Sequence, residues 1–208
     1  MALVPNHISV EKVLQQVDDF FMKAGPVQET LRQLARRLTE QHIDYAVIGG
    51  MGLALHGFVR PTEDVDVLMN REGLERFHNN LVGTSYMPLF EGARKHFRDV
   101  ATGVKVEVLT TGEYPGDGKP KSIAFPDPAE TSIQLDEIRV ARLETLIELK
   151  VASGLSAEHR RLRDLADVQQ LIEVLQLPVD LAQRLEPSVR EEYIRLWKLA
   201  QQSAATEE

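Results

Sequence analysis

Asp64 and Asp66 stand two residues apart in Asp64-Val65-Asp66-Val67-Leu68. Read as a strand, this run alternates faces, so both carboxylates point one way while Val65 and Val67 point into a core. Their Cα atoms would then lie roughly 6 to 7 Å apart. Two ionised carboxylates that close repel each other, and a divalent cation relieves the repulsion. Mg²⁺ suits such a place because it takes few carboxylates and fills its shell with water and substrate phosphates. Just upstream, Ile48-Gly49-Gly50-Met51 closes an apolar run with a glycine turn. Glycine lets a phosphate approach the backbone closely, and the N–H groups opening a Met51–His56 helix would face the β- and γ-phosphates. A Gly-Gly turn alone is weak, and Asp-x-Asp alone is more often a surface or structural pair. In this order they read as half of a site for a nucleoside triphosphate and its metal.

Nucleotidyl transfer is one chemistry that would use such a site. A hydroxyl attacks the α-phosphate, pyrophosphate leaves, and two metal ions respectively activate the hydroxyl and neutralise the leaving phosphates. The geometry asks for a third acid from a neighbouring strand. In Val104-Lys105-Val106-Glu107-Val108-Leu109 the valines share one face, and Glu107 shares the other with Lys105. Glu107 is therefore the candidate acid, an exposed edge-strand glutamate being the rival reading. Arg60, between the glycine turn and the carboxylates, is a candidate phosphate contact.

The elements needed to position these groups can be read from periodicity. Val10–Phe21 and the stretch from Pro26 through Leu38 have helical apolar spacing, with Arg32, Arg36 and Arg37 on the outer face. Tyr45–Ile48 predicts a central strand. Leu53–Gly57 predicts one or two helical turns, Val65–Leu68 a second strand, and Leu74–Leu81 a helix. Phe97–Leu109 predicts a hairpin turning at Ala101-Thr102-Gly103. Thr110–Pro128, rich in proline and glycine, predicts a loop. Ile138–Val140 reads as a short strand. Leu143–Ala152 and Arg160–Leu175 read as helices, the latter with Leu162, Leu165, Val168, Leu171, Ile172 and Leu175 inward, followed by a helical tail and a frayed end over Gln201–Glu208. His56 and Trp197 read as packed residues, and His78, His96 and His159 have no metal-ligand spacing.

Bulk composition narrows the class. The chain has 208 residues, 43% hydrophobic, with net charge −8 and no cysteine. That is enough for a core, excludes disulfides and thiolate metal sites, and argues against a protein that coats nucleic acid non-specifically. No apolar run is long enough to span a membrane, and Met1–His7 has no secretory pattern, so the expected location is cytoplasmic.

The order of hydrophobic strand, Gly49-Gly50 and Asp64-Val65-Asp66 resembles the signature of the polymerase-β-type nucleotidyltransferase superfamily. The longer form, Ile48 through Gly57 with Arg60 and Thr62 ahead of Asp64, resembles its AbiEii-like branch, which includes toxins of abortive-infection and related toxin–antitoxin pairs. Leu143–Lys150 followed by Arg163-Asp164-Leu165-Ala166-Asp167-Val168 is similar to that branch's lysine helix and basic-Asp-x-x-Asp helix. The resemblance covers about Tyr45 to Leu175. It departs from the wider superfamily at Gly50, where many members have serine. It departs from the branch at Arg163, commonly lysine there, which keeps the charge and changes the geometry.

The resemblance implies an α/β (α+β) fold: a mixed sheet flanked by helices in residues 1–140, with N-terminal helices, and a helical C-terminal subdomain in 141–208. It implies that Gly49 and Gly50 cradle the triphosphate, that Asp64 and Asp66 bind Mg²⁺ (two ions), and that Glu107 is the third acid. Lys150 would contact the triphosphate and Asp164 would order or activate the site. Read from the residues alone, Lys150 is equally a solvated lysine, and Arg163, Asp164 and Asp167 a surface ion-pair set. The implied partners are an NTP, an RNA (tRNA end) or protein acceptor, and a cognate antitoxin, with no membrane. Two rival readings share the motif: an antibiotic-type enzyme modifying a small molecule, and a non-catalytic nucleotide-binding or regulatory module.

Overall fold

The computed structural model describes residues 25–204. The predicted Val10–Phe21 helix and the last four residues of the frayed end lie outside them. The described chain forms two compact units: residues 25–111 with Asp127–Ala141, and Gly112–Pro126 with residues 142–204.

The first unit is a mixed α/β structure built on a seven-stranded sheet of order β3-β4-β5-β2-β1-β7-β6. Helix α1 (Gly25–Glu40) leads into β1 (Tyr45–Ile48), α2 (Gly49–Leu55), β2 (Asp64–Met69) and α3 (Arg71–Leu81). Strands β3 (Tyr86–Pro88), β4 (His96–Asp99) and β5 (Lys105–Thr110) follow, then a single turn α4 (Pro128–Thr131), β6 (Ser132–Leu135) and β7 (Ile138–Ala141). β2–β5 and β1–β7 pair in parallel, and the other neighbours are antiparallel.

Alternation sorts the faces. Val65, Val67, Val106 and Val108 are buried in a core with Leu31, Leu34 and Leu38 of α1 and Leu74, Phe77 and Leu81 of α3. Asp64, Asp66 and Glu107 alternate with those valines and are only half-buried. The valine face therefore anchors the strands while the carboxylate face stays accessible. Asn70 caps α3 by accepting from the Gly73 N–H at 2.7 Å, which fixes where β2 ends.

Some local features of this unit differ from the sequence reading. α2 begins at Gly49 itself, so the glycines open the helix instead of only ending the strand. Arg37 is not on the outer face: it donates to Tyr86 Oη (3.0 Å) and Asp99 Oδ2 (3.3 Å), and Asp99 is completely buried. A buried carboxylate needs such a partner. The short strands β3 and β6 lack enough alternation to be read from sequence.

The second unit is helical: α5 (Leu143–Ser156), α6 (Glu158–Leu175), a 3₁₀ segment (Val179–Arg184) and α7 (Pro187–Ala204). The Gly112–Pro126 loop belongs to it. Lys121 ties that loop to the end of α5, donating to the Pro115 carbonyl (2.6 Å) and to Ser156 Oγ (2.8 Å). Leu165, Val168, Leu171 and Ile172 of α6 are buried, but Leu162 is 85% exposed. Helical spacing placed Leu162 inward, yet burial follows the neighbours available at each turn. Trp197 packs as expected, donating to the Leu177 carbonyl at 2.9 Å.

Candidate active site

Strand register assembles the acidic face. Asp66 is the Cα partner of Glu107 across the parallel β2–β5 pair, and Asp64 is the partner of Lys105. Neighbouring strands lie about 4.8 Å apart, so Glu107 stands beside Asp66, one strand over on the same face. β5 lies between β4 and β2, which removes the edge-strand reading of Glu107. Its side chain is 32% exposed. Thr62 Oγ1 donates to Asp64 Oδ1 at 3.1 Å and orients that carboxylate.

The glycine turn is shaped around these side chains. Ile48 is the Cα partner of Asp66, so the next residue, Gly49, abuts the Asp66 side chain. Gly49 has φ +62°, and a Cβ there would come within 1.8 Å of Asp66 Oδ2. A Cβ on Gly50 would meet Thr62 Oγ1 at 2.8 Å and Arg60 Nη2 at 3.5 Å. Both glycines thus make room for the acidic strand and the Arg60–Thr62 segment before it. Asp64, Asp66, Glu107, Gly49, Gly50 and Arg60 all lie in the first unit, and these contacts bring them into one neighbourhood.

The same face continues beyond Glu107. His96 on β4 is the antiparallel partner of Glu107, and its Nδ1 lies 4.0 Å from Glu107 Oε2. Ile48, Asp66, Glu107 and His96 therefore form one row across four strands. Asp64, Lys105, Arg98 and Met87 form the next row. His96 has no sequence motif, and only the register of the hairpin identifies it. His56 is a packed residue: its Nε2 donates to the Ala141 carbonyl at 2.8 Å, and burial lowers its pKa below the ordinary 6.5.

Lys150 and Asp164 belong to the second unit. Lys150 Nζ lies 2.9 Å from Asp164 Oδ1 and 2.6 Å from Asp167 Oδ2, with the three side chains 11%, 9% and 5% exposed. This is neither a solvated lysine nor a surface ion-pair set. One cation between two buried carboxylates clamps α5 to α6. Asp164 Oδ2 is buried without a hydrogen-bond partner.

Among the described residues, no group of three or more His, Asp or Glu side chains is placed to hold a metal ion, and no helix is long and apolar enough to cross a membrane.

Neither a family model nor a curated protein matches the chain. Solved structures with partial likeness include a candidate nucleotidyltransferase from Thermotoga maritima, at 21% identity and TM-score 0.47, covering 68% of this chain and 92% of that one. An antigenic nucleotidyltransferase-like protein from Paracoccidioides brasiliensis aligns at 14% identity and TM-score 0.40, covering 89% and 93%. A candidate nucleotidyltransferase from H. pylori aligns at 16% identity and TM-score 0.41, covering 85% and 97%. At these scores the likeness carries no weight for function, and the functional reading rests on the chain's own residues.

Proposed function

We propose that this chain is a Mg²⁺-dependent nucleotidyltransferase that moves a nucleoside monophosphate from an NTP to a hydroxyl of RNA or protein. The observation that carries the reading is the β2–β5 register, which sets Glu107 beside Asp66 on the face opposite the valine core. Carboxylates set side by side on one face repel each other when ionised, and a bound cation relieves that repulsion.

The donor chemistry is the kind Mg²⁺ takes, although the three carboxylates are not drawn into a ready-made metal-holding group. Asp64, Asp66 and Glu107 offer hard oxygen ligands without enclosing a full shell, which suits an ion that completes its coordination with water and phosphate oxygens. When bound, Mg²⁺ supplies charge neutralisation at the reacting phosphates and lowers the pKa of a coordinated hydroxyl. Asp64, steadied by Thr62, and Asp66, seated against Gly49, are the primary ligands. Gly49, Gly50 and Arg60 are assigned to the triphosphate. Glu107 accepts the proton of the attacking hydroxyl as the hydroxyl oxygen bonds to the α-phosphorus. The α–β anhydride bond breaks and pyrophosphate carries away the electron pair. The Lys150–Asp164–Asp167 clamp first secures α5 against α6, and Lys150 and Asp164 support turnover through the second unit's integrity. A toxin role paired with an antitoxin is the setting that the AbiEii-like motifs favour.

The test is pyrophosphate release with each of the four NTPs in the presence of an RNA or protein acceptor. Wild type is expected to release pyrophosphate with at least one pair, and Glu107→Gln to lose at least about a hundredfold of that rate, the scale of a lost general base. Release undiminished in Glu107→Gln would remove Glu107 from the chemistry.

A further inference from the structure

The row Ile48–Asp66–Glu107–His96 gives the acidic face two ends. One is the glycine turn at β1. The other is the β3–β4 side, where His96 leads to an exposed aromatic. Phe90 is 58% exposed, and its ring centroid lies 5.9 Å from that of His96 with the planes 31° apart. Met87, 49% exposed, lies in the adjacent row. A large ring left in solvent beside a catalytic face is costly by transfer energy, and a tilted pair of flat rings offers a surface for a third.

Cations gather beside this ledge, on a face they share with the carboxylates of Asp64, Asp66 and Glu107. Between Phe90 and Lys105 there are four cations: Arg94, Lys95, Arg98 and Lys105. The same stretch has two acids. Asp99 is buried and paired with Arg37, and Glu91 is exposed. Arg98 and Lys105 are cross-strand partners on exposed positions of the carboxylate face. Aromatic rings among cations are what single-stranded nucleic acid requires, bases stacking on the rings and phosphates running along the positive surface.

We propose that the Phe90–His96 ledge, flanked by Arg98 and Lys105, binds the terminal nucleotide of a single-stranded nucleic-acid acceptor and brings its 3′ hydroxyl to Glu107. This rests on the transferase reading, takes its nucleic-acid acceptor over its protein one, and adds the residues that hold the acceptor and the side from which it arrives. The NTP phosphates sit toward β1, the acceptor toward β4, and Glu107 stands in register between them. Phe90 and His96 position the acceptor and take no part in bond making.

The probe is a twelve-nucleotide single-stranded RNA ending in 2-aminopurine riboside, whose fluorescence falls when the terminal base stacks. It is titrated with the full chain in the absence of NTP, alongside a separate calorimetric titration with Mg²⁺ and NTP. Wild type is expected to quench the probe. Phe90→Ala should weaken RNA binding about fivefold or more, the scale of one lost base stack, while Phe90→Trp keeps it and NTP binding is unchanged in both. Lys105→Glu should weaken RNA binding and flatten its salt dependence. Asp64→Ala/Asp66→Ala should still quench the probe, so failure of the metal assignment leaves this test standing. Absence of quenching by wild type, or equal quenching by Phe90→Ala, overturns the proposal. A loss of NTP binding in Phe90→Ala with RNA binding intact also overturns it, because the ledge would then hold the base of the incoming nucleotide.

Discussion

A Cβ on Gly49 would lie 1.8 Å from Oδ2 of Asp66, so the glycine turn and the acidic strand are built as one piece. The turn was expected to leave space for phosphate. Its first occupant is the carboxylate assigned to the metal. Gly49→Ala should therefore damage function through Asp66. The left-handed backbone alone costs about 1–2 kcal/mol with a side chain, and the clash displaces Asp66 as well. The expected result is a fall in Mg²⁺–NTP affinity of at least tenfold with the far-ultraviolet circular dichroism preserved. Unchanged affinity would separate the turn from the metal site.

The second unit depends on its buried cation. Lys150→Met leaves Asp164 and Asp167 facing each other without compensation in a site less than about one-tenth exposed. Breaking a buried pair this way costs about 3–5 kcal/mol. Thermal or urea unfolding should show that loss. Lys150→Met/Asp164→Asn/Asp167→Asn should recover much of it, since no unpaired charge remains. If Lys150→Met is as stable as wild type, the clamp does not hold α5 to α6.

Stability should decline at high pH through Tyr86. Burial raises the phenol from 10.0 to about 12, with Arg37 working in the opposite direction. The unfolded chain releases this proton near pH 10 and the folded chain near 12, so the contribution is complete below pH 10 and is lost as pH rises across that interval. Urea unfolding between pH 9 and 12 should show the fall, and Tyr86→Phe should reduce it. Tyr45 and Tyr193 are raised in the same direction by burial, so the slope should persist in part.

On the acid side His56 acts with the opposite sign. Burial lowers its pKa, while its bond to the Ala141 carbonyl works against that shift. Its contribution is complete above pH 6.5 and diminishes as pH falls below it, because the unfolded chain takes up a proton that the folded chain resists. His56→Gln, compared with wild type from pH 7.5 to 5, should show a weaker pH dependence of unfolding. An equal slope would mean that another group carries it.

Local pattern made β1 legible as a continuous apolar run, and β2, α3 and the valine face of β5 legible because their apolar residues repeat at periods 2 or 3.6. The parallel pairing of β5 with β2, which puts Glu107 beside Asp66, is a contact between distant segments and leaves no local trace. The β4–β5 hairpin shows how narrow the margin is. A three-residue turn over Ala101–Gly103 would pair Phe97 with Glu107. In the structure Asp99 closes a four-residue loop, accepting from the Ala101 and Thr102 N–H groups and donating its own N–H to the Val104 carbonyl. The register moves by one, and His96 faces Glu107 while Phe97 is buried. Likewise Lys150 and the Asp164–Asp167 pair were visible as residues, but their burial depends on how α5 meets α6.

The most direct test of the central claim is calorimetric binding of an NTP to wild type and to Asp64→Ala/Asp66→Ala, each with Mg²⁺ and again with excess EDTA. Wild type is expected to bind with Mg²⁺ and to lose at least tenfold in affinity in EDTA, and the double variant to bind weakly in both. Equal Mg²⁺-dependent binding by the two proteins would contradict the assignment of Asp64 and Asp66 as metal ligands.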